Sequence, residues 1–564
     1  MKPVHFYSCL SKALVAGLIL TGALSTKVLA EEADPKWKEP YDTPVTITTV
    51  RGTGAVAFHF DPGDSISDNL WTRSFQNVLN VTVKTDWVSS DYDIKLNLAM
   101  ATGKLPDVFV VNTEQLKRLE NAGMLADLTD VYETWGSDRL KSILSAEEAV
   151  LETATVDDRL YAIPQLSSGY HPELLWLRSD WMEELKKENP KTVDELEEIL
   201  LGMKELSGNY SFAVGEDLDS LYHLAVAWDA YPGFWQRQED GTLVYGSVTD
   251  QMKEALCDWQ RWYQEGIFRK DFANLNNDAV SKDISDGKAG AMTFRSAWGW
   301  VYGLDEVKSQ GVEACFWPCE IPTVTGKKAV YPRNFKNNGY IVVNRNCKNP
   351  EAVIKIIDYY VYILNDAYQD GTMSYDEIVQ YTQNNMQHAT APFTVTNSTS
   401  DYERYEMIQQ ALETGDESVL KTGGAAEVYH GIKRWNEQKD LSCVGYAVQF
   451  DGTKSGVGIA DQIIKEDRVV LSGLWGEQPQ ELIEYGDTLD DILREGFIRI
   501  IMGESDISYF DKLVQEWYEA GGEIVTEAVN RMVTQVGHEA SIYGIVHIGC
   551  LIEKSRKICF LKPS

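Results

Sequence analysis

Trp298 and Trp300 stand two residues apart in FRSAWGW (294–300), with Arg295 just before them and the apolar run AGAM just upstream. Two large flat rings beside an arginine could pack a core, or could form a flat surface for a ligand. A sugar needs the second arrangement. Its CH faces lie on an aromatic platform while its hydroxyls reach out to charged and amide groups. The chain holds 16 Trp and 28 Tyr, and many stand in loop-like stretches beside polar residues. Trp228 and Trp235 bracket AWDAYPGFW (227–235), and Tyr170 lies in SSGYHPELLW (167–176). For any one ring, core packing is the default. The set, in a chain that begins with an export signal, tilts the balance toward a ligand surface.

Other chemistries find little support. VRGTGAVAF places Gly52, Gly54 and Ala57 in a G-x-G-x-x-A spacing after a strand, but the following HFDPGDS breaks the helix that a dinucleotide site needs. No G-x-S-x-G, H-E-x-x-H or phosphate-loop pattern occurs. His59, His171, His223, His388 and His430 lie at no metal-ligand spacing from one another, and a lone histidine is structural by default. DAYQDGTMSYDE echoes a calcium loop through Asp366, Asp370, Gly371 and Glu377, but its third position is Tyr368, which has no carboxylate. Cys315 and Cys319 (CFWPC) either close a small loop or are two separate thiols, and no second ligand pair makes them a zinc site. No catalytic group, metal or cofactor is therefore expected. A carboxylate pair for glycoside hydrolysis stays open, since 86 acidic residues always offer some pair and sequence spacing does not give the separation that matters.

The elements that must position these residues begin after residue 30. Residues 1–30 hold three lysines, no acid and the apolar ALVAGLIL, the form of a secretory signal peptide too short to span a membrane. The only cysteine there, Cys9, precedes the apolar run, so no lipid-attachment motif is evident and an exported chain without a visible anchor is expected. A linker occupies 31–44. The net charge of −34 repels phosphate backbones and anionic lipid heads, which argues against nucleic acid as a partner. VTITTV (45–50), VTVKTDWV (81–88) and DVFVV (107–111) read as strands, and helical patterns alternate with them. DIKLNLAMATG closes on Gly103, Thr192 and Glu195 make a capping box, and Asn349–Pro350 open a long apolar helix. This alternation predicts α/β lobes with mixed, largely parallel sheets flanked by helices.

Several of these segments carry a family resemblance. GKAGAMTFRSAWGW, NLAMATGKLPDVFVVN, DDRLYAIPQLSSGYHPELLWLRSDWMEEL and NGYIVVNRNCKNPEAVIKIIDYYV resemble, in order, segments of the extracellular solute-binding proteins of the maltose-binding type. FIRIIMGESDISYFDKLVQEWYEAGGEIVTEAVNRMV is similar to the end of their long oligosaccharide-binding subfamily in Firmicutes, and the resemblance spans about 42–533. It implies a two-lobed clamshell that captures an oligosaccharide between its lobes and delivers it, as a monomer, to a membrane ABC permease. It implies an N-lobe of 45–167 with 338–400 and a C-lobe of 168–337 with 401–535. Trp298 takes the stacking position, with Trp300 beside it in the core or the pocket. Asn112 and Glu114 take polar ligand positions, Tyr170 falls at the first hinge crossing, and Trp228 and Trp235 fall in the loop that supplies aromatics from the second lobe. An exported glycan-degrading enzyme and a sugar receptor feeding a sensor protein remain the alternatives. Residues 536–564, apolar and basic, match nothing at the family's end and are expected to be dispensable, the product of an extension or a shifted reading frame.

Overall fold

The structure, a computed structural model, describes residues 36–53, 60, 62–146, 148–166, 169–297, 316–334, 338–382, 390–476 and 478–542. Its main strands are β1 (Val45–Gly52), β2 (Val81–Ser89), β3 (Val108–Val111), β4 (Ala162–Pro164), β5 (Glu173–Arg178), β6 (Trp235–Arg237), β7 (Leu243–Tyr245), β8 (Ala291–Arg295), β9 (Phe316–Cys319), β10 (Tyr331–Arg333), β11 (Tyr340–Val343) and β12 (Val469–Leu471). The strands form where β-branched and aromatic residues crowd together, because such side chains pack well on a pleated, buried surface.

In one lobe β11 is the middle strand of three, all four of its residues buried, and it runs antiparallel to β3 and β4. Beside it β1 and β2 pair in parallel from Val45 opposite Val81 to Gly52 opposite Ser89. The Asp107 carboxylate fastens β1 to the start of β3, accepting from Thr48 N at 2.9 Å and Thr48 Oγ1 at 2.7 Å. In the other lobe β5 is central and antiparallel to both β8 and β9. Among the paired strands of the described residues only β1–β2 and β10–β12 are parallel, so the expectation of largely parallel sheets gives way to antiparallel pairing around β5 and β11. The reason lies in the crossings: each central strand belongs to a segment entering its lobe from the other one, and it is fed from the opposite end to its neighbours.

Helix boundaries follow local chemistry. Tyr92–Thr102 stops at Gly103 in the left-handed region (φ 67°), a conformation glycine adopts without cost. Val193–Ser207 starts on the Thr192–Glu195 capping box. The helix expected to be capped by Asn349 begins one residue later, Glu351–Asn365 with Pro350 at the cap and no side-chain cap bond. Tyr509–Trp517 buries Phe510, Leu513 and Trp517. The last helix, Glu523–Ile542, continues past the point where the family resemblance ends, and residues 543–564 lie outside the described residues.

Two large cores give the molecule its two lobes. One gathers apolar residues from Trp37 to Leu166 and from Tyr340 to Val395. The second gathers Leu174 to Tyr331 and Trp435 to Val529. A smaller third core, Tyr405 to Val457 with Ala297, packs against the partly buried Tyr368, Tyr375 and Tyr446. The chain passes between the large cores near 165–172, 334–339 and 395–401, and these passages lie side by side. Gln165 N donates to the Gly339 carbonyl (2.8 Å), Asn338 N to the Gln165 carbonyl (3.0 Å), and Gln165 Nε2 to Thr394 Oγ1 (3.2 Å). Tyr402 Oη donates to the Tyr170 carbonyl, and His171 Nε2 lies 3.1 Å from Asp401 Oδ2.

Candidate ligand-binding site at the lobe boundary

On the first lobe, β1, β2 and β3 end on the same side. The Tyr92 side chain packs against Gly52, and its hydroxyl donates to the Val110 carbonyl at 2.8 Å, so the ends of β1 and β3 converge there. Thr53 N donates to the Ser89 carbonyl (3.1 Å), closing the end of β2 as well. The carboxyl ends of parallel strands are where open α/β folds take ligands. Half-buried Trp87 lies at this edge, 5.6 Å from Tyr92 between centroids, with Lys95 Nζ 4.6 Å over its ring. Arg51 is the penultimate residue of β1, its guanidinium donating to the Thr390 carbonyl (3.3 Å), and burial brings its pKa down to about 10. Asn112 and Glu114 lie just past β3 and are exposed. Asn112 already has local work: its side chain accepts from Gln115 N while the Gln115 side chain accepts from Asn112 N, a complete cap. Glu114 pairs loosely with Arg118 at 3.7 Å.

On the second lobe, β5 begins where β8 ends, with Glu173 opposite Arg295. Arg295 Nε lies 3.8 Å from Glu173 Oε1, and His223 Nε2 lies 3.8 Å from the same oxygen. Burial, and then the charge of Arg295, push His223 down to about 4, so its ring is neutral at neutral pH. Beyond Arg295 the chain is clamped to the crossings. Ser296 N donates to the Pro172 carbonyl (3.0 Å), and Ser296 Oγ lies 3.3 Å from His171 Nδ1. Burial pushes Asp401 upward, but the charge of Arg404 and the hydrogen bond from His171 outweigh it and hold the carboxyl below its usual range. Tyr170 lies in the first crossing, its hydroxyl donating to the Pro332 carbonyl (3.0 Å), and burial raises its pKa well above the usual value. Arg333 packs between two rings, 5.6 Å from Tyr170 and 5.7 Å from Trp475.

The structure thus brings Tyr170 and Arg295 to the lobe boundary and leaves Asn112 and Glu114 on the facing edge of the first lobe. It places Trp228 and Trp235 inside the second core, each only 5% exposed. Trp228 meets Trp259 and Trp262 edge to face at 5.9 and 6.0 Å, and its Nε1 donates to Asp258 at 2.9 Å. Trp235 packs on Tyr245 at 5.1 Å. Trp298 and Trp300 lie outside the described residues, as does Cys315, while Cys319 is a buried free thiol. The calcium-like segment spends its acids locally: Asp366 on Arg139, Asp370 on Tyr362, Glu377 on Ser374. The sequence does not point to Glu173, Arg333 or Trp475, and it offers His223 only as a lone, structural histidine. Trp475 stands between glycines in SGLWGEQP, a signal of the same kind as FRSAWGW, whereas the other three depend on strand register and crossings.

Two lobes, three adjacent crossings and a polar, aromatic boundary define a two-domain binding protein. The model of the family described as bacterial extracellular solute-binding protein matches residues 72–379, and the chain belongs to that family. It is 21% identical over 484 residues to the lipoprotein LipO of Bacillus subtilis strain 168, covering 82% of this chain and 88% of the relative. It is 21% identical over 540 residues to the polygalacturonan/rhamnogalacturonan-binding protein YtcQ of the same organism, covering 91% of this chain and 96% of the relative. The fold is that of the S. pneumoniae ABC-transporter substrate-binding protein FusA, solved with fructo-nystose (TM-score 0.55, 15% identity, 88% of this chain and 100% of that one). No helix among the described residues is long and apolar enough to cross a membrane.

Proposed function

We propose that this protein is exported, captures an oligosaccharide in the crevice between its lobes and hands it to a membrane ABC permease. The observation that carries this reading is the set of three crossings lying side by side between two separate cores. Such a joint lets the lobes swing as rigid bodies and trap a ligand. The names of the relatives support a saccharide ligand: YtcQ is a polygalacturonan/rhamnogalacturonan-binding protein, and FusA was solved with fructo-nystose. In this reading Tyr170, Arg295, Asn112 and Glu114 contact the ligand, as do Trp298 and Trp300 beyond the described residues, and the lobes divide near residues 167, 337 and 400. Trp228 and Trp235 belong to the core that backs the crevice.

Calorimetry of the purified protein against neutral and acidic plant and host oligosaccharides tests the reading. One site per chain with the sugar recovered intact is expected. Steady release of new reducing ends would make the protein a glycan-degrading enzyme instead. Trp298→Ala is expected to weaken binding by roughly 1–3 kcal/mol, the worth of burying one large apolar face, with the melting temperature nearly unchanged. Normal affinity per folded molecule with a much lower melting temperature would return Trp298 to the core. Deleting the gene should abolish uptake of the bound sugar; intact uptake with a lost transcriptional response would make the protein a receptor for a sensor.

A further inference from the structure

Glu173, His223 and Arg295 come from three elements: the start of β5, the helix Asp219–Leu224 and the end of β8. Strand register sets Glu173 opposite Arg295, and Thr293 Oγ1 donates to the Ser220 carbonyl (2.7 Å), tying the helix to β8. The Glu173 and His223 side chains are half-buried, 25% and 31% exposed, and Arg295 at 47% is the most open, so the group is partly reached by solvent at the edge where the chain enters the second lobe. The carboxylate only accepts hydrogen bonds and the guanidinium only donates them. The neutral imidazole adds one polar edge and no charge. At neutral pH one negative and one positive group cancel, and the set as a whole is uncharged.

We infer that Glu173, His223 and Arg295 form a subsite for the hydroxyls of an uncharged sugar residue, which makes the captured ligand a neutral oligosaccharide. This rests on the reading of the protein as an oligosaccharide-binding protein. A hydroxyl both donates and accepts, so adjacent hydroxyls on one ring are satisfied by a carboxylate and a guanidinium held side by side. A uronate carboxylate would have to compete with Glu173 for Arg295, beside a like charge. It would do so on a chain of net charge −34, whose field repels anions. The other arginines at the boundary have their own packing: Arg333 lies between Tyr170 and Trp475, and Arg51 donates to the Thr390 carbonyl.

The test is a glycan array spanning neutral and uronic-acid oligosaccharides, followed by calorimetry on the best binder and on trigalacturonate. The expected result is binding to neutral glycans, with trigalacturonate at least tenfold weaker. Glu173→Gln should lower affinity for the neutral glycan about tenfold. Because it leaves Arg295 without its counter-charge, it should raise affinity for trigalacturonate. Arg295→Gln should weaken the neutral glycan similarly without that gain. The opposite response of the two ligands to one substitution is something a purely structural role would not produce, and melting curves of both variants report their folding. A wild-type preference for uronates, or a Glu173→Gln variant with an unaltered ratio of the two affinities, overturns the inference and leaves the oligosaccharide reading standing. An array with no bound glycan removes both.

Discussion

Gly169→Ala is expected to destabilise the protein by roughly 4 kcal/mol and to loosen the joint between the lobes. Gly169 lies in the first crossing with φ 96°, a conformation that side chains rarely adopt and that carries about 1–3 kcal/mol of strain. A Cβ there would also overlap the Ser398 carbonyl oxygen in the third crossing. That oxygen is backbone, so the two crossings must separate, and forced overpacking of this kind costs a further 1–3 kcal/mol or so. Gly103→Ala is the control: Gly103 also has positive φ, but nothing lies within contact of its absent side chain, so only the local penalty of about 1–2 kcal/mol applies. At roughly 2–4 °C per kcal/mol, the crossing variant should melt about 10 °C lower. Its sugar affinity should fall as well, since Tyr170 and His171 follow directly. A Gly169→Ala protein with the melting temperature of Gly103→Ala would show that the crossings are not packed as described.

Trp228→Ala should cost about 3–5 kcal/mol of stability, the usual loss for a large buried ring, and leave the affinity of the folded molecules intact. The ring fills the space between Trp259 and Trp262 on the helix Asp250–Glu265, and its departure strands the Asp258 oxygen that its Nε1 satisfies. Thermal unfolding and calorimetry on the surviving fold separate the two quantities. A stable Trp228→Ala protein that binds sugar poorly would move this residue into the crevice.

The contrast between these two positions shows what the sequence reveals. Strands such as β1, β2 and β3 were legible because their apolar, β-branched runs have no other good use in a folded chain. The order of the family segments was legible too, and with it the clamshell. The depth of an aromatic ring was not. AWDAYPGFW reads as a loop because Gly, Pro and Asp surround its rings, yet Trp228 is held by partners about 30 residues away on another helix. The cap at Asn112 was legible as well, since N-T-E-Q after an apolar strand is a capping box, the same signal as at Thr192–Glu195, and it holds in place the side chain proposed to meet the ligand. The pairing of Glu173 with Arg295 required strand register across distant segments, which composition does not contain. The antiparallel course of β5 and β11 likewise follows from the crossings rather than from any local pattern.

Closure is the property that separates a transport binding protein from a rigid lectin-like surface, because a permease can recognise occupancy only through contacts that differ between open and closed forms. Small-angle scattering of the wild-type protein, alone and saturated with an oligosaccharide shown by calorimetry to bind, measures it directly. A smaller radius of gyration in the saturated protein, reversed when the sugar is removed, is the predicted result. An unchanged radius at full occupancy would contradict capture by rotation about the three crossings.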